Sequence, residues 1–108
     1  MIMQFHKSGY YHQHDKDFRI ERPDGSGDYL LLLVRTVGWF RIHGTDYHTS
    51  PNTILLYKKG TPQLYRACEA PYSDDWLHFH MDESDLSFVS KLEIPFDTPV
   101  QVHDIHDL

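Results

Sequence analysis

Apolar and polar residues alternate along several short stretches of the chain, which is the pattern of half-buried β-strands. The stretch "DFRIER" at 17–22 shows this most clearly, with Phe18, Ile20 and Arg22 on one face. Turns rich in Gly, Pro and Asn separate such stretches. The other predicted strands are 29–36, 39–43, 47–49, 53–57, 63–67 and 75–81. Short strands at this spacing predict an all-β sandwich or barrel.

The pattern changes at both ends of this region. After Met81, the acidic run "DESD" offers N-cap residues, and Leu86 and Val89 then follow at helical spacing. We therefore expect one short C-terminal helix and, after it, an extended segment at 94–105. The first residues are rich in Tyr, His and Gln and have weak strand character. They predict a mobile N-terminal segment at 1–16, followed by a single domain at 17–108.

The composition limits the function. The chain has 108 residues and a formal net charge of −6 with its nine histidines neutral, which fits one acidic domain. Such a domain is a poor partner for DNA, so we expect no direct contact with nucleic acid. A single cysteine, Cys68, excludes an internal disulfide and fits a reducing compartment. There is no signal-peptide pattern, and the longest apolar run is too short to span a bilayer. These features predict a cytoplasmic protein with no membrane partner.

The motifs of common enzyme classes are not found in the sequence. Cys68 has no recognisable base beside it, and there is no nucleophile elbow, P-loop or Rossmann fingerprint. We therefore predict no catalytic residues, no enzymatic activity and no cofactor.

Two histidine pairs raise the question of a metal site. His12 and His14, and likewise His78 and His80, place two imidazoles on one face of an extended segment. Each pair is a possible half-site for zinc or iron. The alternative is that these are polar surface or lumen-lining residues. Because no carboxylate occupies a supporting position, we predict no metal site.

Arg22 is the more informative residue. It ends a strand whose other inward residues are apolar, and a guanidinium in that place needs a partner such as a carboxylate or paired hydroxyls. A salt bridge to the turn residues Asp24 or Asp28 is an equally good interpretation.

Alternation also pairs other candidate residues on shared faces. It places Gln63 with Tyr65 and Trp76 with His78. If both faces line one lumen, an amide, a phenol, an indole and an imidazole surround one small polar ligand. Hydroxyl-rich ligands such as sugars bind to such groups. The alternative for Trp76 is core packing.

Four segments resemble one known family. In chain order they are "DFRIERPDGSGDYLLLLVRTVGWF", a hairpin at Gly44, "TILLYKKGTPQLY" and "WLHFH", and together they span Asp17–His80. Their order and spacing resemble the N-terminal ligand-binding cupin domain of AraC-type transcription regulators. The resemblance implies a double-stranded β-helix (a jelly-roll barrel) that senses a small effector in its lumen and forms a homodimer. In that family a downstream helix-turn-helix domain binds the DNA, and this chain does not contain one.

The resemblance also implies roles for single residues. In the arabinose-responsive members, the residues at the positions of Arg22, Tyr65 and Trp76 contact the sugar. A further sugar-binding histidine of those members corresponds to Asp74 or Asp75 here, so we expect an effector other than arabinose. The candidate ligand-binding residues are therefore Arg22, Gln63, Tyr65, Trp76 and His78.

The same comparison bears on the alternatives. Metal-dependent cupins carry a histidine at the position of Gln63, and their first-motif ligands have no counterpart in this chain. A metal-dependent cupin enzyme that acts on a small sugar or acid is nevertheless kept as the alternative function. A third possibility is a barrel with a filled lumen that serves dimerisation.

Overall fold

The structure is a computed structural model, and it describes residues 4–68, 70–92 and 94–102 without the side chains of residues 4–7 and 10–12. The described residues form the strands β1 Gln4–His14, β2 Arg19–Arg22, β3 Tyr29–Val34, β4 Gly38–Ile42, β5 Thr45–Thr49, β6 Thr53–Tyr57, β7 Gln63–Ala67, β8 Tyr72–His80 and β9 Val100–Gln101, with one helix, α1 Glu83–Lys91, before β9. The predicted all-β class with one short helix is confirmed.

The strands form two antiparallel sheets. The larger sheet has the order β1-β8-β3-β6-β9, and the smaller has the order β2-β7-β4-β5. Most neighbours within a sheet are distant in the sequence; β3, for example, lies between β6 and β8.

The two sheets pack face to face over a shared core. The larger sheet contributes Leu30, Leu32, Val34, Leu55, Tyr57 and Tyr72, and the smaller contributes Phe40, Ile42, Tyr65 and Ala67. These side chains are all less than 5% exposed. Removing this much apolar surface from water is the main force that holds the sheets together.

Helix α1 covers the outer face of the larger sheet. Asp82 caps its N-terminus in a reciprocal capping box with Asp85, as the run "DESD" predicted. Val89 is buried against Leu56 and Phe79 of the sheet below. No helix among the described residues is long and apolar enough to cross a membrane.

The segment after α1 is fastened to the corner between β6 and β7 through Asp97. One carboxylate oxygen accepts the backbone N–H of Lys58 at 2.9 Å, and the other accepts the hydroxyl of Thr61 at 2.8 Å. The Asp97 N–H donates to the carbonyl of Leu56 at 2.8 Å. These bonds hold the segment after α1 (residues 94–102, the exit segment) against the sheet.

The N-terminal region differs from the predicted separate segment at 1–16. Residues 4–14 form β1, an edge strand of the larger sheet that pairs with β8. Irregularities at Phe5/Lys7 and Gly9/His12 interrupt the register, and such β-bulges disrupt the two-residue period, so the local pattern was weak. Residues 1–3 lie outside the described residues, and the mobility of this segment stays a prediction.

The hairpin between β4 and β5 turns one residue earlier than predicted. Ile42 pairs with Thr45, and both intervening residues have positive φ, 49° at His43 and 79° at Gly44. That geometry is typical of a two-residue hairpin turn, which favours glycine at its second position. At the next turn, Asn52 has a φ of 66°, so it adopts the left-handed conformation, which asparagine tolerates better than most residues.

Candidate functional site

A cavity of about 210 Å³ opens between the two sheets. It lies beside the apolar core rather than replacing it, since Leu30 and Tyr65 belong to both. The described residues that line it are His14, Phe18, Ile20, Arg22, Leu30, Tyr65, Asp74, Trp76 and His78. Four of the five predicted binding residues, all except Gln63, are therefore brought together around one space.

Arg22 enters the cavity from the end of β2. Its Nη1 donates to Oε1 of Gln63, the paired residue on β7, at 2.8 Å. The Gln63 amide nitrogen in turn donates to the hydroxyl of Ser26 at 3.1 Å. Gln63 is 1% exposed and lies behind Arg22 rather than among the described lining residues. It orients the guanidinium, which differs from the prediction that its amide faces the ligand.

His78 is held in the cavity wall by Asp28. The imidazole Nδ1 and Oδ1 of Asp28 are 2.9 Å apart, and both side chains are about 7% exposed. The same Asp28 oxygen accepts the Ser26 hydroxyl at 2.6 Å. Because Ser26 also contacts Gln63, one hydrogen-bonded network joins Arg22 and His78 behind the cavity. Asp28 is thus a partner of His78 and not of Arg22.

Tyr65 supplies a phenol from the smaller sheet. Its ring stacks on Phe40 at a centroid distance of 4.9 Å, which fixes its position. Burial raises the pKa of Tyr65 to about 12, the nearby negative charge of Asp74 adds to the rise, and Arg22 opposes it through its charge and a hydrogen bond. The phenol is therefore neutral at ordinary pH and able both to donate and to accept.

Trp76 presents a half-buried indole to the cavity. Its register partner on β1 is Gly9, and a β-carbon there would overlap the indole ring. The ring of His78 meets the indole edge-on, with centroids 5.5 Å apart. Glycine on the neighbouring strand therefore makes the room in which the indole lies.

Asp74 marks the other end of the cavity. Its carboxylate is 2% exposed and accepts the Tyr72 hydroxyl at 2.9 Å. The Phe18 ring stacks on His14 and on Tyr72, with centroids 3.8 Å and 4.9 Å away, beside this carboxylate. Asp75 points elsewhere and forms a two-pronged ion pair with Arg35, at 2.6 Å and 3.1 Å.

In the described part of the chain, no three His, Cys, Asp or Glu side chains are grouped to hold a metal ion. His78 is engaged by Asp28. His12 pairs in register with Asp74 through the backbone, and its side chain lies outside the described residues.

Sequence reasoning missed three contributors to the site. Ser26 lies in a turn, and its bonds to Gln63 and Asp28 arise only when that turn folds over β7 and β8. Gly9 lies in a stretch with weak strand character. Asp28, which was considered as a partner for Arg22, could have been matched to His78 only by knowing that β3 and β8 are neighbours.

A scan against protein-family models and a search of the curated proteins each found no match. Among solved structures, the chain is similar to the plu4264 protein from Photorhabdus luminescens, with a TM-score of 0.54 and 15% sequence identity. The similarity covers 76% of this chain and 68% of that one. At this identity the likeness shows a shared fold and nothing about function.

Proposed function

We propose that this chain is a ligand-sensing domain that binds a small hydroxylated molecule of the carbohydrate class between its two sheets. The observation that carries the proposal is the cavity in which Arg22, Tyr65, Trp76 and His78 converge. A guanidinium, a neutral phenol and an imidazole offer directed hydrogen bonds, and the indole offers a flat surface for a sugar ring.

The size of the cavity supports a small ligand. Its volume of about 210 Å³ is below the roughly 300–1,000 Å³ of pockets for drug-sized molecules. That space suits a monosaccharide or a similar compound. Ile20 and Leu30 line part of the wall and can face the apolar side of such a ring.

The chemistry of the described lining residues favours binding over catalysis. None of them is a Cys, Ser, Thr or Lys, which are common nucleophiles. His78, with its Nδ1 held by Asp28, could act as a base through Nε2, but no common nucleophile lies beside it among the described lining residues. We assign this network to orientation of the binding groups.

The role as a regulatory domain rests on the sequence resemblance to AraC-type regulators. The strand orders 1-8-3-6 and 2-7-4-5 agree with a jelly-roll, cupin-like arrangement and so support it. In this proposal the chain acts as a cytoplasmic homodimer, DNA is bound by another domain, and the ligand shifts the conformational population that the other domain contacts.

Calorimetric titration of a panel of neutral monosaccharides and sugar acids tests the binding. At least one sugar is expected to bind the wild type. Arg22→Ala is expected to weaken its affinity by about tenfold or more, which is a loss of about 1.4 kcal/mol of binding free energy. The matched control is Arg41→Ala, which removes an exposed arginine paired with Asp46 outside the cavity. A panel with no binder, or equal affinities for the wild type and Arg22→Ala, would contradict the assignment.

Sedimentation with and without a bound sugar tests the sensing role separately. A ligand-dependent change in self-association or shape is expected. If a sugar binds without any such change, the chain is a binding protein and the proposed sensing role is wrong.

A further inference from the structure

The two ends of the cavity carry opposite charges. Asp74 and His78 are four positions apart on β8, which is roughly 13 Å along a strand. Phe18 lies at the Asp74 end, because its ring stacks on Tyr72 and Tyr72 donates to Asp74. Arg22 is four positions beyond Phe18 and is joined to His78 through the network behind the cavity. Arg22 and His78 therefore form one end, and Asp74 forms the other.

Within the described part of the chain, the guanidinium at the cationic end has only neutral partners. Arg22 donates to the carbonyl oxygen of Gln63 and shares the cavity with the phenol of Tyr65. Among the described side chains, no carboxylate lies within ion-pair distance of Arg22, and Asp28 bonds to His78 and Ser26 instead. A half-buried guanidinium gains most from an anionic partner, and its planar fork fits a carboxylate through two parallel hydrogen bonds.

The anionic end has the opposite preference. The buried carboxylate of Asp74 repels a second carboxylate, and carboxylate oxygens accept hydrogen bonds from hydroxyls, as one of them does from Tyr72. A ligand that satisfies both ends carries its negative charge at one end and hydroxyls at the other. A neutral sugar offers Arg22 only neutral acceptors, of the kind that Gln63 already provides.

We propose that the ligand of this cavity is a sugar acid, of the uronic or aldonic class, with its carboxylate on Arg22 and its hydroxyls towards Asp74. This inference rests on the proposed function, because it names the class of ligand for the same cavity. It does not depend on the regulatory role.

Matched pairs of ligands test the proposal by calorimetry on the wild type. Galacturonate is compared with galactose, glucuronate with glucose, and gluconate with sorbitol. In at least one pair the acid is expected to bind about tenfold tighter or better, which is the scale of one charge-assisted pair. Added salt is expected to weaken the acid and leave the neutral partner nearly unchanged, since screening acts on the charge.

Two variants identify the ends. Arg22→Gln is expected to abolish the preference for the acid, and Asp74→Asn is expected to keep or increase it. If Arg22→Gln does not fold, Arg22→Lys keeps the charge without the fork and is expected to retain part of the preference. The salt dependence of the wild type tests, without any variant, whether the acid binds through its charge.

The outcomes separate this inference from the proposed function. Neutral sugars that bind as tightly as their acids, or a preference that survives in Arg22→Gln, overturn the sugar-acid proposal and leave a carbohydrate-binding domain. Binding of neither class to the folded wild type overturns both proposals.

Discussion

Strand β8 has opposite chemistry on its two faces. The face between the sheets carries Asp74, Trp76 and His78, which line the cavity. The outer face carries Leu77 and Phe79, which pack under α1 and the exit segment. In most two-sheet proteins the interior face is the apolar one. A strand that turns its polar face inward and needs a helix to cover its apolar face lines a binding cavity beside the apolar core.

The comparison predicts that substitutions on the outer face act on stability and those on the inner face act on binding. Phe79 is 5% exposed in the outer cluster, and Phe79→Ala is expected to lower the free energy of unfolding by about 3–5 kcal/mol. Urea unfolding measures this loss. At a temperature where the variant is folded, its ligand affinity is expected to equal that of the wild type. A tenfold loss of affinity in the folded variant would contradict the separation of the two faces.

Alkaline pH is expected to lower the free energy of unfolding through Tyr65, which lies between the sheets. Tyr65 has its pKa raised from 10 to about 12 by burial, so the folded protein keeps a proton that the unfolded chain loses above pH 10. The unfolded state then binds fewer protons, and stability falls as the pH rises from about 10 to 12, by about 1.4 kcal/mol per unit. Below pH 10, Tyr65 contributes nothing to the pH dependence of the free energy of unfolding.

Tyr65→Phe gives the matched measurement. Urea unfolding at pH 8 and at pH 11 is expected to show a smaller alkaline loss in Tyr65→Phe than in the wild type, although the pKa values of Tyr57 and Tyr72 are also raised by burial and leave a remainder. Equal losses would show that the phenol does not titrate as its burial implies.

Substitution of Gly9 tests the packing of Trp76 on the inner face of β8. An alanine β-carbon would overlap the Trp76 indole, so Gly9→Ala is expected to cost about 1–3 kcal/mol of stability and to weaken ligand binding by moving the ring. In a Trp76→Ala background the same change is expected to cost little, because the overlapping group is gone. A double-mutant cycle by urea unfolding checks this. Additive costs would mean that the indole does not lie against Gly9.

The sequence predicted strands wherever the local pattern was regular. Thr53–Tyr57 and Gln63–Ala67 have the predicted bounds, because each is a short run of strand-forming residues between two turns. Strand β1 was predicted to be a separate mobile segment, because its bulges remove the alternation and its partner β8 lies about sixty residues away in the chain. Local patterns carry no information about such pairings.

The candidate site was predictable in its members but not in their arrangement. Arg22, Tyr65, Trp76 and His78 were found from alternation and from the resemblance. The position of Gln63 behind Arg22 was not predicted. Alternation shows which face of a strand a side chain is on, but not how deep it lies. The division of the cavity into a cationic end and an anionic end appears only when the two sheets are laid together.

Intrinsic fluorescence tests the central claim most directly, because the two tryptophans lie on opposite sides of the smaller sheet. Trp76 lines the cavity, whereas Trp39 lies outside it with Arg41 and Arg66 over its ring. In Trp39→Phe the emission reports Trp76 alone, and a bound sugar or sugar acid is expected to change it with a saturating dose response. In Trp76→Phe the same ligand is expected to leave the Trp39 emission unchanged. A response from Trp39 alone, or from neither ring with a ligand that calorimetry shows to bind, would place the ligand outside the cavity and contradict this account.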